Sequence, residues 1–213
     1  GSVKLGLALQ HRDNGDPKGN DICFISHYRP ELIHPDASSL IRQVESAHRR
    51  LYFLTAQYAN DRRLPLTILS KTRSRELQSS ELAYFERIST SSCTSFVTAD
   101  KNVNEFSTYK AMFQSGLVVN LASTLGFEAL AIGKKVLFGA TEQHHLRTNW
   151  GCNDYFVDLP DLVVLSTDSQ AEFNEKVNNL LHLPNHDYQN AIGRMATNVV
   201  AMPQREYPHE TTN

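Results

Sequence analysis

The residues best suited to chemistry follow an apolar run at residues 117–121. Ser123 and Thr124 place two hydroxyl groups at a predicted helix start, where side chains and free backbone N–H groups can receive phosphate oxygens. Leu125 and Gly126 complete this first turn, and the missing side chain of a glycine lets a ligand or a neighbouring backbone approach closely. The pattern therefore predicts a phosphate-binding turn formed by these four residues.

Glu128 lies four residues after Thr124, about one turn further along the same helix face. A carboxylate at this position could accept hydrogen bonds from ribose hydroxyls, whereas it would be a poor ligand for phosphate. In the alternative interpretation, Ser123 is only an N-cap and Glu128 is a solvated helix residue. The spacing alone leaves both interpretations open.

Further polar side chains follow the first two predicted strands. Ser26, His27 and Arg29 follow or end the first strand, and the planar fork of Arg29 could pair with a phosphate. Lys71 and Arg73 follow the second strand and could neutralise a diphosphate or a monophosphate. The alternative is an ordinary surface loop in the first case and a solvated rim in the second.

The elements that must position these groups alternate along the chain between strands and helices. Short apolar runs predict strands at 22–26, 66–70, 95–98, 117–121, 135–138 and 162–165. Apolar residues at helical spacing, with capping residues, predict helices starting at 36 or 38 and covering 80–88, 104–114, 124–132, 169–183 and 188–202. This order predicts an α/β fold: a doubly wound, Rossmann-like, mostly parallel sheet of about six strands with helices on both faces. In such a sheet, ligands bind at the carboxyl ends of the strands.

Composition and the positions of glycine and proline suggest three segments along the chain. Residues 1–20 are expected to be an N-terminal segment or linker, residues 21–202 the Rossmann-like domain, and residues 203–213 a tail. The opening Gly1-Ser2 resembles a scar left by tag cleavage, which leads us to expect a fragment of a longer protein.

The overall composition excludes several classes of protein. With 213 residues, 40% hydrophobic residues and a formal net charge of −2, the chain suits a packed domain and lacks the basic excess of a nucleic-acid binder. Its three cysteines form no CxxC pair, which argues against a zinc ribbon or a disulfide scaffold and favours a reducing compartment. No apolar run approaches a membrane span and no signal peptide is evident.

The stretch from about residue 100 to residue 138 resembles the donor-binding core in the C-terminal domain of GT-B glycosyltransferases. The resemblance rests on the turn described above and on the run Glu128-Ala-Leu-Ala-Ile-Gly-Lys134, which leads into a new apolar strand. In that family the equivalent glutamate commonly holds the donor ribose, so the resemblance implies this role for Glu128. Within the family, surface-polysaccharide and Kdo-type transferases are the most similar in appearance.

One departure from the family pattern falls at Asn120. Many retaining GT-B enzymes carry a second acidic residue eight positions before the ribose-binding glutamate, and here that position is an asparagine. The resemblance therefore favours an inverting enzyme, or a retaining enzyme of another lineage.

The resemblance also implies a set of ligands and contacts. The donor would be a nucleotide sugar, with phosphates held by the turn and by Ser26, Arg29, Lys71 and Arg73. His27 and His144 would contact the donor sugar. No cofactor and no metal would be required, because protein groups meet the phosphate charge. The pair His144-His145 could suggest a metal site, but no third ligand has suitable spacing.

The resemblance leaves the acceptor side outside the chain. In GT-B enzymes the acceptor site and often the catalytic base come from an N-terminal domain, so no catalytic residue is assigned here. A glycan or lipid-linked acceptor would be bound by a missing N-terminal domain or a partner chain, and the chain alone would be inactive. We expect a cytoplasmic location, with the full protein peripheral at the inner face of the membrane.

Three other functions stay open. A nucleotide-sugar 2-epimerase or a glycerophosphotransferase-like enzyme would share the architecture, and a non-catalytic half of a split transferase would share the binding site. The sequence contains no GxGxxG, Walker A or GxSxG motif, which disfavours dinucleotide dehydrogenases, P-loop enzymes and α/β hydrolases.

Overall fold

The computed structural model describes residues 3–10, 21–29, 38–70, 72, 74–89, 94–97, 106–139 and 159–193. The described residues form one parallel sheet of five strands in the order β3-β2-β1-β4-β5. The strands are β1 (Ile22–Ile25), β2 (Leu66–Leu69), β3 (Thr94–Val97), β4 (Leu117–Asn120) and β5 (Val136–Phe138). The helices are α1 (Val3–Gln10), α2 (Ser39–Arg62), α3 (Arg75–Ile88), α4 (Ser107–Gln114), α5 (Thr124–Ala131), α6 (Gln170–His182) and α7 (Asn185–Ile192). The predicted α/β class and the Rossmann-like parallel sheet are confirmed.

The central strands are short apolar runs because helices cover both of their faces. β1, β4 and β5 are buried along their whole length. Phe24 of β1 packs on one face against aromatic rings of α2 and α3, with Tyr52 at 5.4 Å and Phe85 at 6.3 Å between ring centroids. Its neighbour Cys23 is buried on the other face, where burial raises the thiol pKa and the charge of Lys134 opposes that shift.

The long helix α2 begins directly after Ser38, one of the two starts that its sequence predicts. The Ser38 hydroxyl oxygen accepts a hydrogen bond from the Ile41 amide at 3.3 Å, which caps the helix start. Arg63 follows the last turn in the left-handed conformation, with φ of 55°. Between these ends, the buried side chains recur at helical spacing and cover β1.

The predicted sixth strand at residues 162–165 is wrong. The chain forms a short 3-10 turn at Asp161–Val163, and only Val164 bridges to the sheet, at Phe138. Lys176 of α6 holds this turn, since its ammonium group donates to the Asp161 backbone oxygen and carboxylate. A turn packed under a helix buries an apolar run as fully as a strand does, so apolar periodicity could not separate the two.

Three predicted helices start at other residues than expected, and one helix was not predicted. α4 starts at Ser107, after Phe106 as its N-cap, instead of at residue 104. α3 starts at Arg75 instead of residue 80. The prediction missed its first turn because those residues are mostly polar and lack apolar periodicity. The last helix starts at Asn185, directly after Pro184, instead of at residue 188. The part predicted beyond residue 193 lies outside the described residues. The opening residues, expected to be an N-terminal segment or linker, contain α1, which packs against α4 and buries Leu5 and Ala8.

Within the described ranges, no helix has the length and apolar character that a membrane crossing requires.

Candidate functional site

The strand order reverses direction between β1 and β4, which makes this pair the switch point of the sheet. Ile25 and Asn120 are paired in register at the carboxyl ends of the two strands. The loops that follow them therefore leave the sheet side by side. Ligands of doubly wound sheets bind in the crevice outside such a pair, so the candidate site consists of residues 26–29 and 120–128.

Asn120 shapes the turn between β4 and α5. Its side chain is fully buried, and its Oδ1 accepts a hydrogen bond from the Ser123 amide at 2.8 Å. Its Nδ2 donates to the Ser123 carbonyl oxygen at 3.3 Å. The asparagine thus satisfies both backbone groups of the N-cap residue, which holds the turn in a single conformation.

Gly126 is required by the position of Asn120. A Cβ at residue 126 would lie 2.0 Å from Asn120 Nδ2 and 2.5 Å from Asn120 Cγ, which no packed pair of atoms tolerates. The sequence predicted that a ligand or a neighbouring backbone approaches this glycine. The neighbour that approaches is the Asn120 side chain, so Gly126 acts through the shape of the turn.

The N-terminus of α5 opens at the switch point. Ser123 is the N-cap residue in extended conformation, and its hydroxyl makes no capping hydrogen bond. The amides of Gly126 and Phe127 both donate back to the Ser123 carbonyl oxygen. Among the described residues, the amides of Thr124 and Leu125 have no acceptor. These two N–H groups and the positive end of the helix dipole can receive an anion.

His27 bridges the two loops of the candidate site. Its ring Nε2 accepts a hydrogen bond from the Ala122 amide at 3.4 Å, which requires that this nitrogen carries no proton. Its own backbone amide donates to Nε2 of His48 in α2 at 3.2 Å. With 6% of its surface exposed, His27 borders the crevice and ties the loop after β1 to the turn after β4.

The other two residues predicted after β1 differ in exposure. Ser26 is buried, and its Oγ accepts a hydrogen bond from the Tyr28 amide at 3.0 Å, so it shapes the loop. Arg29 is exposed, which leaves its guanidinium in solvent at the edge of the crevice.

Glu128 lies one turn into α5 and faces α4. The Tyr109 hydroxyl donates to Glu128 Oε2 at 2.7 Å, a short hydrogen bond of the kind that charged acceptors make. Tyr109 is buried whereas Glu128 is half-buried, so the carboxylate is held from the protein side and still reaches the surface.

A buried carboxylate also lies beside the end of β2. Glu81 of α3 accepts a hydrogen bond from the Ser70 hydroxyl, and the Ser70 oxygen accepts one from the Thr72 amide at 3.3 Å. These two hydrogen bonds fix the backbone at the carboxyl end of β2. The predicted phosphate contacts Lys71 and Arg73 are neighbours of Ser70 and Thr72 in sequence. Lys71 and Arg73 lie outside the described residues, as does His144, and so do the contacts predicted for them.

The two lysines that follow Gly133 have a structural role. The buried Lys134 ammonium donates to the backbone oxygens of Phe113 and Ser115 at the end of α4. Lys135 donates to the oxygens of Leu181, at 3.2 Å, and Leu183, at 2.6 Å, at the end of α6. Each lysine therefore satisfies carbonyl groups that a helix end leaves without partners.

Sequence reasoning missed three side chains that support the site: His48, Glu81 and Tyr109. Glu81 stands three and four residues before the buried Tyr84 and Phe85, so helical spacing could have marked it as inward-facing. His48 stands four residues after the buried Val44 and three before the buried Leu51, so the same spacing could have marked it. No sequence signal pairs Tyr109 with Glu128, because tertiary packing alone brings their helices together.

Among the residues that the structure describes, no group of three or more histidine, cysteine, aspartate or glutamate side chains is arranged to hold a metal ion.

Comparisons with known proteins add one finding. A family model described as a putative O-antigen biosynthesis protein matches residues 7–202. Searches of curated proteins and of solved structures found no match.

Proposed function

The chain belongs to this putative O-antigen biosynthesis protein family, and on that premise we propose that it is the nucleotide-sugar-binding domain of a GT-B glycosyltransferase. Synthesis of a surface polysaccharide consumes activated sugars, and a site for a sugar linked to a nucleotide is consistent with such a family. The observation that carries the proposal is the open N-terminus of α5 beside the loop after β1.

Electrostatics at the turn favour a phosphate group. The amides of Thr124 and Leu125 point out of the first turn of α5, where the helix dipole adds a partial positive charge. Arg29 adds a solvent-exposed cation at the same edge. In a transfer reaction the leaving nucleotide gains negative charge on its phosphate, and these donors would stabilise that charge without a metal.

The remaining roles follow the geometry of a bound nucleotide. Glu128 lies one turn from the phosphate-binding amides, where its carboxylate would accept hydrogen bonds from the ribose hydroxyls. His27 borders the crevice and would contact the sugar or its phosphate. In this proposal Lys71 and Arg73 contact the donor phosphates and His144 contacts the donor sugar. The acceptor and the catalytic base belong, in this proposal, to another domain or to a partner chain.

Deleting one backbone amide tests the phosphate site. Thr124→Pro removes the N–H group at the first helical position, where proline is well tolerated. Ser123, with ψ of 144°, already has the extended conformation that a residue before proline prefers. We expect the variant to fold normally and to bind nucleoside diphosphates about tenfold more weakly, since a hydrogen bond to a charged group is lost. Calorimetric titration with UDP, GDP, CMP and their sugars measures this.

Thr124→Ala is the matched control, because it removes the hydroxyl group and keeps the amide. Its affinity should stay closer to that of the wild type than the affinity of the proline variant does. A wild-type chain that binds none of these nucleotides at millimolar concentration would contradict the proposed function. Equal nucleotide affinity of the wild type and Thr124→Pro would show that the Thr124 amide does not contact the phosphate.

A further inference from the structure

Tyr109 occupies a fixed position between three helices. Its ring lies 6.4 Å from that of Phe106 and 6.2 Å from that of Phe113, and the Lys4 ammonium of α1 lies 5.3 Å from its centroid. Only 4% of its surface is exposed. The ring cannot turn away without disrupting this packing, so its hydroxyl is a rigid donor aimed at Glu128.

The hydrogen bond from Tyr109 restricts a side chain that would otherwise move freely. A half-exposed glutamate samples several rotamers, and a ligand must restrict them when it binds. With Oε2 of Glu128 held at 2.7 Å from the Tyr109 hydroxyl, the carboxylate is oriented before any ligand arrives. This arrangement lowers the entropic cost of each hydrogen bond that the carboxylate then accepts.

The carboxylate keeps the capacity to bind a diol. An ionised carboxylate offers about four acceptor positions, and the Tyr109 hydroxyl uses one of them. The rest exceed what the two hydroxyl groups of a ribose need. Losing one ribose hydroxyl would leave part of an oriented, half-buried carboxylate unsatisfied, which is how a polar site rejects an analogue that lacks a hydroxyl group.

We infer that Tyr109 is a positioning residue that holds Glu128 and thereby makes the site selective for ribonucleotides over 2′-deoxyribonucleotides. This inference rests on the proposed function, in which Glu128 accepts the ribose hydroxyls. It adds a residue from α4 to the site and a substrate preference that can be measured separately from affinity.

The ratio of affinities for ribose and 2′-deoxyribose nucleotides tests the inference. The intact chain is titrated with UDP, GDP and CMP and with the 2′-deoxy form of each. We expect the wild type to prefer the ribonucleotide by about tenfold or more, and Tyr109→Phe to reduce that ratio about fivefold. Glu128→Gln should lower it as well, and adding Tyr109→Phe to Glu128→Gln should change it no further, because the tyrosine acts through the carboxylate.

Tyr58→Phe is the matched control. The Tyr58 hydroxyl also makes a 2.7 Å hydrogen bond, but its partner is Asn178 of α6 and not Glu128. Its deletion should leave the ratio unchanged. Tyr109→Leu provides a second hydroxyl-free variant, and thermal unfolding identifies which variant keeps the wild-type fold.

Each outcome decides the inference. A folded Tyr109 variant with the wild-type ratio, beside a Glu128→Gln variant that has lost it, overturns the role of Tyr109 and leaves the proposed function standing. A wild type that binds ribose and 2′-deoxyribose forms equally also overturns it. A wild type that binds no nucleotide overturns the proposed function and this inference together.

Discussion

At the scale of single residues, Asn120 explains the geometry of the turn between β4 and α5. Its amide donates to the Ser123 carbonyl oxygen and its Oδ1 accepts from the Ser123 amide. An aspartate could accept from the amide but could not donate to the carbonyl, and its charge would be fully buried. The asparagine therefore suits the geometry of this turn, where an acidic residue would not.

Replacing Gly126 with alanine should destabilise the protein. In an ordinary helix, alanine is more stable than glycine by about 0.5–1 kcal/mol. Here the new Cβ would lie 2.0 Å from Asn120 Nδ2, so Asn120 must move and lose its bonds to Ser123. We expect Gly126→Ala to lower the free energy of unfolding by about 1–3 kcal/mol, measured by urea denaturation.

The double variant Asn120→Ala/Gly126→Ala controls for the cause of this loss. Asn120→Ala removes the two nearest atoms and leaves only the Cβ of residue 120, at 3.0 Å from the new Cβ. The cost of Gly126→Ala relative to Asn120→Ala alone should therefore fall well below its cost in the wild type. A Gly126→Ala protein more stable than the wild type would contradict the assigned clash.

The sequence predicted part of this residue-scale picture. The close approach at Gly126 was expected, because only a glycine permits it, but the sequence could not identify Asn120 as the approaching group. The ribose-binding role of Glu128 stays a prediction. Its partner Tyr109 is nineteen residues away on another helix, and side-chain pairs of this kind depend on how the helices pack.

At the scale of elements, polar side chains tie helix ends to the loops and strands around them. Lys134 and Lys135 cap the ends of α4 and α6 through their ammonium groups. Burial lowers the pKa of Lys135. Glu172, in the first turn of α6, accepts hydrogen bonds from the amides of Ser166 and Thr167, both at 2.7 Å. The Glu172 contacts join α6 to Ser166 and Thr167, which directly follow the predicted sixth strand.

Glu172→Gln should destabilise the protein in a pH-dependent way. Burial raises the pKa of Glu172, but hydrogen bonds from the Thr167 hydroxyl and from the amides of Ser166 and Thr167, with the charge of Lys176, lower it overall. A folded pKa below the unfolded value of 4.5 means that the stabilisation is complete above that pH and is lost as pH falls through the folded pKa. The stability gap between wild type and variant should therefore shrink in acid.

Urea unfolding between neutral pH and about pH 3 measures this gap. Glu175→Gln is the control, because Glu175 is exposed on the same helix, and its variant should match the wild type throughout. A gap for Glu172→Gln that widens as the pH falls would have the wrong sign for this account.

Most elements followed from the sequence because their apolar residues recur at the period of a strand or a helix. The five strands and α2 are examples. The errors occur where the apolar pattern does not indicate the secondary structure. The polar first turn of α3 was missed, and the buried turn at Asp161–Val163 was taken for a strand. Neither feature has a periodic signal of its own.

At the scale of the whole molecule, the strand order determines where function can lie. Alternating strands and helices predicted a parallel sheet but not which strands would be neighbours. The order β3-β2-β1-β4-β5 brings the loop after β1 beside the turn after β4, although almost a hundred residues separate them in sequence. This juxtaposition unites Ser26, His27 and Arg29 with the turn that begins α5, and membership of the O-antigen biosynthesis family gives it a biological setting.

The amide resonances of the turn test the central claim most directly. The ¹⁵N-labelled chain would be titrated with UDP, GDP and CMP while its amide shifts are followed by NMR. If the switch point binds the nucleotide phosphate, the largest shifts will fall on Thr124 and Leu125, with smaller ones across residues 26–29. Unchanged Thr124 and Leu125 amides in a chain that binds one of these nucleotides would contradict the account.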